Sequence, residues 1–202
     1  MKKLLFVPIL AFVILAAIEP GTLEKKERKY AKDFLKETRS DLTKSVKGLN
    51  EAQLKFKTAP DRWSVEDCMK HIAAAEMGLR QMLDNNLKQP ATPEKRSEVK
   101  VTDENLIKMI ENRTNKAQAP EQLRPENTPF KSADEALTSF KDNRDKLLDF
   151  VKNTKEDLRN HIVELPFGKI DAYQMVLFIS AHSNRHTQQI KEVMNDANFP
   201  KQ

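Results

Sequence analysis

Four stretches of this chain carry apolar residues that gather on one face at the 3.6-residue period of the α-helix over several turns. The first spans residues 22–49, with Tyr30, Phe34, Thr38, Leu42, Val46 and Leu49 marking one face. The second starts at Ser64, follows Val65, Cys68, Ile72, Ala75, Leu79, Met82 and Leu83, and fades after Leu87. The third starts at Ser132 and carries Ala136, Leu137, Phe140, Leu147, Leu148 and Val151. The fourth opens at Asp171 and carries Val176, Leu177, Ile179, Ile190 and Val193. Ser64 with Asp67, Ser132 with Glu135 and Asp171 with Gln174 have the three-residue spacing of a helix N-terminal capping box. Four helices that each expose one apolar stripe must bury those stripes against one another. The sequence therefore predicts an all-α fold, an antiparallel four-helix bundle.

The connections read just as directly. A single turn is expected at residues 51–54, and a shorter helix at 102–116, with Leu106, Ile107 and Ile110 inward, lies in the middle connection. Pro120, Pro125 and Pro129 then punctuate residues 119–130. Residues 154–169 are mixed, with Pro166 and Gly168 marking a turn. With only 4 Gly among 202 residues and no alternating run longer than a few positions, nothing competes with helix. The length suits one domain with a full core, placed at residues 22–195 and followed by a tail at 196–202. The methionines, Met69, Met82 and Met175 among them, are expected to fill that core.

Residues 1–19 are different material. Lys2 and Lys3 precede an apolar run from Leu4 to Ile18, interrupted only by Pro8. This is the pattern of an export signal, and the run is shorter than the roughly 20 residues of a membrane span. Cleavage near Ala16 and Ala17 would release the bundle to the periplasm or the exterior, and retention would leave it anchored to a membrane. The net charge of +5 is spread through alternating signs, as in Glu24, Lys25, Lys26, Glu27, Arg28 and Lys29. Without a basic stripe or interleaved aromatic rings, nucleic acid is not an expected partner.

His182 and His186 stand four apart, so one helical face presents both imidazoles, and His71 lies on the second helix. A bundle could bring all three onto one divalent cation, zinc or another late first-row ion, with a coordination position left open for water. Three histidines could equally sit apart as ordinary core or surface groups. His161, beside the Pro166 turn, is expected at the surface or a helix end and outside any ligand set. Cys68, the single cysteine, reads as a small buried hydrophobe, with a fourth ligand or reactive thiol as the alternative. Glu76 lies five residues after His71 and so is rotated well away from it; it is a candidate base or ligand-orienting carboxylate, or else half of a salt bridge. Gln189 is one turn past His186 and could hydrogen-bond a ligand, while Asn184 and Arg185 should point elsewhere. Trp63 is expected to be a core anchor.

Arg62-Trp63-Ser64-Val65, His71-Ile72-Ala73-Ala74-Ala75-Glu76, the Phe167-Gly168 turn and His182-x-x-x-His186-x-x-Gln189 together resemble the DinB-like (damage-inducible, YfiT-type) group of metal-binding four-helix bundles. The resemblance covers nearly all of residues 22–195. It implies a divalent metal, zinc or nickel, on His71, His182 and His186. It also implies either a metal-dependent hydrolase acting on a small electrophilic substrate or a thiol-dependent S-transferase using a low-molecular-weight thiol. A non-catalytic module for metal or ligand binding is the third reading. Export would separate the chain from cytosolic thiols and favours hydrolysis. A homodimer is compatible with bundles of this kind.

Overall fold

A computed structural model describes residues 22–114 and 118–201; the expected export signal at 1–19 lies outside them. Among the described residues six α-helices and one hairpin follow in order: α1 (Lys25–Val46), α2 (Glu51–Lys55), α3 (Val65–Leu87), α4 (Asp103–Glu111), α5 (Ala133–Asn153), β1 (Ile162–Leu165), β2 (Gly168–Asp171) and α6 (Ala172–Met194). Short 3₁₀ turns at Pro93–Glu98, Glu121–Leu123 and Pro125–Asn127 shape the long middle connection. The fold is the expected all-α bundle, made by α1, α3, α5 and α6. Among the described residues no helix is long and apolar enough to cross a membrane.

Helix starts are where the side chains dictate. Ser64 Oγ accepts from the Asp67 amide (3.1 Å) while the Asp67 carboxylate accepts from the Ser64 amide (3.0 Å). Asp171 and Gln174 make the same reciprocal pair at the head of α6. Ser132 caps α5, but the Glu135 carboxylate reaches one residue further back, to the Lys131 amide. Each arrangement occupies amide donors that an open helix end leaves unpaired.

In the bundle, α3 packs on α5 and α6, and α1 packs on α5 and α6, so α1 faces α3 only diagonally. One apolar cluster joins Leu42 and Val46 of α1, Val65–Ala73 residues of α3, Ala133, Ala136 and Phe140 of α5, and Ile190 and Val193 of α6. The second joins Ala31 and Leu35, Leu83, Leu147 and Val151, and the start of α6. The helices therefore run up, down, down and up. The antiparallel neighbours are α1 with α5 and α3 with α6; the other two adjacent pairs are parallel, because the middle connection returns the chain to the end where α3 began.

Several expected positions differ. The stretch at 162–171 is an antiparallel hairpin that pairs Leu165 with Gly168 and covers one end of the bundle with Val163, Leu165 and Ile170. Gly168, at φ 130°, allows its tight turn. In α1 the buried face runs through Ala31 and Leu35, leaving Tyr30 exposed and stacked on Phe34. Met82 is exposed, whereas Met69 and Met175 are core. The last residues turn back, with Phe199 edge-on to Phe56 and the Gln53 amide donating to the Pro200 carbonyl. At the hairpin end, Arg159 pairs with Glu27, Asp103 and Asp171, tying the starts of α1, α4 and α6 together.

Candidate metal centre

Midway along the bundle the two apolar clusters are separated by polar side chains. At this level α3 contributes His71 and α6 contributes His182 and His186, and their ligand nitrogens all lie within 4.8 Å of one another. His71 and His186 are buried and His182 is partly exposed. Nε2 of His71 is 3.3 Å from Nε2 of His182. Two imidazoles on one tetrahedral zinc ion, each at about 2.0–2.1 Å, hold their nitrogens roughly 3.3–3.4 Å apart, so this pair already has the spacing of ligands.

The orientation of the rings tests the fit independently. His71 Nδ1 donates to the Leu123 carbonyl (2.8 Å), which leaves Nε2 with its lone pair facing the other rings. His186 Nδ1 donates to Gln189 Oε1 (3.0 Å), with the same result. An acceptor behind each ligating imidazole is the usual support of a metal-bound histidine. The walls are aromatic. The Trp63 ring lies 4.8 Å from His71 and 5.8 Å from His186, and Phe178 stands edge-on to His182. Burial lowers the pKa of all three histidines. His182 falls to about 3, with neighbouring His71 and Arg185 adding to the effect. His186 is held well below the ordinary value and His71 is lowered despite its bond to Leu123. Three neutral imidazoles, two of them with the Nε2 lone pair turned toward the cluster, suit an imidazole-preferring divalent cation.

The structure thus brings together the histidines that the spacing singled out and adds Gln189 as the partner of His186. Asn184 and Arg185 point away, to Glu111 and to the Ile110 and Asn112 carbonyls of α4 and its end. Trp63 is half-buried and anchors the core as expected, but its ring also backs two of the histidines. Cys68 is fully buried in apolar surroundings that push its thiol pKa up, so it packs as a hydrophobe and stays out of the cluster. His161 is outside the cluster too, but it is buried, not at the surface: it immediately precedes β1, and its carbonyl accepts from the Ala172 amide.

Glu76 does not face the histidines. Its two oxygens accept from Nε (2.7 Å) and Nη2 (2.8 Å) of Arg144, so the carboxylate proposed as a base is half of a buried ion pair. Arg144 is fully buried and also donates to the Leu35 carbonyl, to Thr38 Oγ1 and to Ser183 Oγ, one residue from His182. The sequence reading missed Arg144. The signal was present: Arg144 lies on the apolar stripe of α5, four after Phe140 and three before Leu147, where a charge needs a partner. The Leu123 carbonyl had no such signal, because any residue there supplies the same atom.

Comparison with known proteins follows the same lines. The sequence model of the DinB superfamily matches residues 35–190. The uncharacterized protein YuaE of Bacillus subtilis (strain 168) is 25% identical over 158 residues, covering 78% of this chain and 93% of that protein. Among solved structures, YfiT from Bacillus subtilis superposes with a TM-score of 0.58 at 14% identity, covering 86% of this chain and 89% of that one. YfiT is described as a probable metal-dependent hydrolase with an unusual four-helix bundle topology.

Proposed function

The chain belongs to the DinB superfamily, and from that premise we propose that it is a metal-dependent hydrolase acting on a small electrophilic substrate. His71, His182 and His186 would hold one divalent cation, zinc or nickel. The observation that carries the proposal is the convergence of three neutral imidazoles whose ligand nitrogens lie within 4.8 Å of one another, one pair of them at ligand spacing and two of the rings fixed with Nε2 unprotonated. The description of YfiT, which shares the fold, supports the same class.

A divalent cation bound there supplies Lewis acidity, which polarises a carbonyl or phosphoryl oxygen and acidifies water. The protein's own groups supply the rest. Leu123 and Gln189 hold the rings of His71 and His186 in one tautomer. Trp63 packs against the rings of His71 and His186 and Phe178 against that of His182, so aromatic surface flanks the site on two sides. Because Glu76 is engaged by Arg144, it is not assigned as the base. Residues 1–19 support export as part of this proposal, and hydrolysis then proceeds without a cytosolic thiol.

Elemental analysis of the purified protein, followed by ester, amide and phosphoester screens of wild type against His71→Ala, tests the assignment. The expected result is one divalent ion per chain and a hydrolytic turnover lost in the variant. A protein that is isolated metal-free and fails to bind added Zn²⁺ or Ni²⁺ overturns the site. A metal-loaded protein that transfers thiols but hydrolyses nothing overturns the reaction.

A further inference from the structure

We propose that Arg113 sets the tautomer of His186 through the side-chain amide of Gln189, which makes it a positioning residue of the metal centre; this rests on the three-histidine reading above. Arg113 lies just beyond α4. Its Nε and Nη2 form a two-pronged pair with Oε1 and Oε2 of Glu192, both at 2.7 Å. Its Nη1 donates to Gln189 Oε1 (3.2 Å) and lies 3.5 Å from the Arg185 carbonyl. The same Gln189 oxygen accepts from His186 Nδ1.

A guanidinium can only donate. It therefore forces the oxygen of the Gln189 amide, and not its NH₂, to face this corner. With the oxygen there, His186 must carry its proton on Nδ1, and Nε2 keeps the lone pair that coordination requires. A flipped amide would set NH₂ against the Arg113 donors. It would also turn His186 Nδ1 into an acceptor, moving the ring proton to Nε2 and blocking the ligand atom. The surroundings hold Arg113 in place. Asn184 binds Glu111, and Arg185 binds the Ile110 and Asn112 carbonyls, which clamps the end of α4 onto α6. His71 needs no such device, because a backbone carbonyl cannot flip.

The experiment compares wild type with Arg113→Met, Arg113→Lys and the double variant Arg113→Met/Gln189→Glu. Imidazole ¹⁵N shifts of the metal-free proteins report the tautomer, competition with a chelating dye reports Zn²⁺ affinity, and urea denaturation checks the fold. Wild type and the lysine variant are expected to carry the Nδ1–H form of His186. Arg113→Met should shift His186 toward Nε2–H and weaken Zn²⁺ by roughly 10–100-fold, the usual effect of losing an outer support. The double variant should restore both, because a carboxylate presents only acceptors. A methionine variant that keeps the Nδ1–H form and binds Zn²⁺ within about twofold of wild type overturns the proposal. So does a double variant that restores neither readout, since Arg113 would then act through charge or packing. If wild type binds no Zn²⁺, the metal-centre reading fails, and the tautomer shifts still decide the role of Arg113.

Discussion

An imidazole coordinates only through an unprotonated nitrogen, so each proposed ligand needs both its position and its proton placed. Position was legible in the sequence for His182 and His186, because one helix carries both and its period is fixed. The proton was not, since Leu123 lies 52 residues from His71 and contributes backbone. Two expectations follow at this scale. Replacing His182 with Ala should lower Zn²⁺ affinity by more than the roughly 10–100-fold of an outer-shell loss, whereas His161→Ala should leave Zn²⁺ binding intact. Equal losses in a competition titration would mean that the wrong histidines are named. The second concerns pH. The folded-state pKa values of His71, His182 and His186 lie below the ordinary 6.5, so the unfolded chain binds more protons below that pH. The metal-free protein should hold its full stability above pH 6.5 and lose it as pH falls toward 3. Each histidine adds at most about 1.4 kcal/mol per pH unit. Urea midpoints between pH 7 and 5 should show this slope, and a His182→Gln/His186→Gln variant should flatten it.

The starts of α3, α4, α5 and α6 are legible because a cap is a local event between residues three apart, whereas α1 begins at Lys25 behind Glu24, inside the expected 22–49. Ser64, Thr102, Ser132 and Asp171 all cap the helices that were expected to start beside them. Stripes were read less well. A strict four-residue step turns the face by about 40° each time, so the run from Val46 back to Tyr30 drifts off the core, while Ala31 and Leu35 correct it with one three-residue step. The hairpin was hidden for another reason: strands of four residues are too short to establish an alternating period, and only the Gly168 turn between them was visible. The cap of α3 matters most to function, since His71 lies less than two turns inside it. Ser64→Ala should cost about 1 kcal/mol, a fall of about 2–4 °C in the melting temperature. A thermal scan that shows no change would mean the Lys57–Asp67 pair and the packing of Trp63 hold that helix end without the cap.

Across the whole molecule, each long helix places one polar residue on its buried face at the same level: Thr38, Glu76, Arg144 and Ser183. Only Arg144 stands out in its own helix, and the layer exists only where the four meet, which is why the sequence showed the helices and hid what joins them. Arg144 uses all five of its N–H donors there, reaching α1, α3 and α6 from α5. Removing one partner of a buried pair strands the other charge. Arg144→Met should therefore cost roughly 3–5 kcal/mol in urea denaturation. The double variant Glu76→Leu/Arg144→Met should regain most of that, since Thr38 and Ser183 keep their bonds to Phe34 and Ser180 carbonyls. Metal affinity separates stability from placement. Ser183 neighbours His182, so the lost guanidinium bond frees the rotation of α6 at the ligand. A double variant as stable as wild type should still bind Zn²⁺ more weakly, and equal affinity would show that the polar layer holds the bundle together without aligning its histidines.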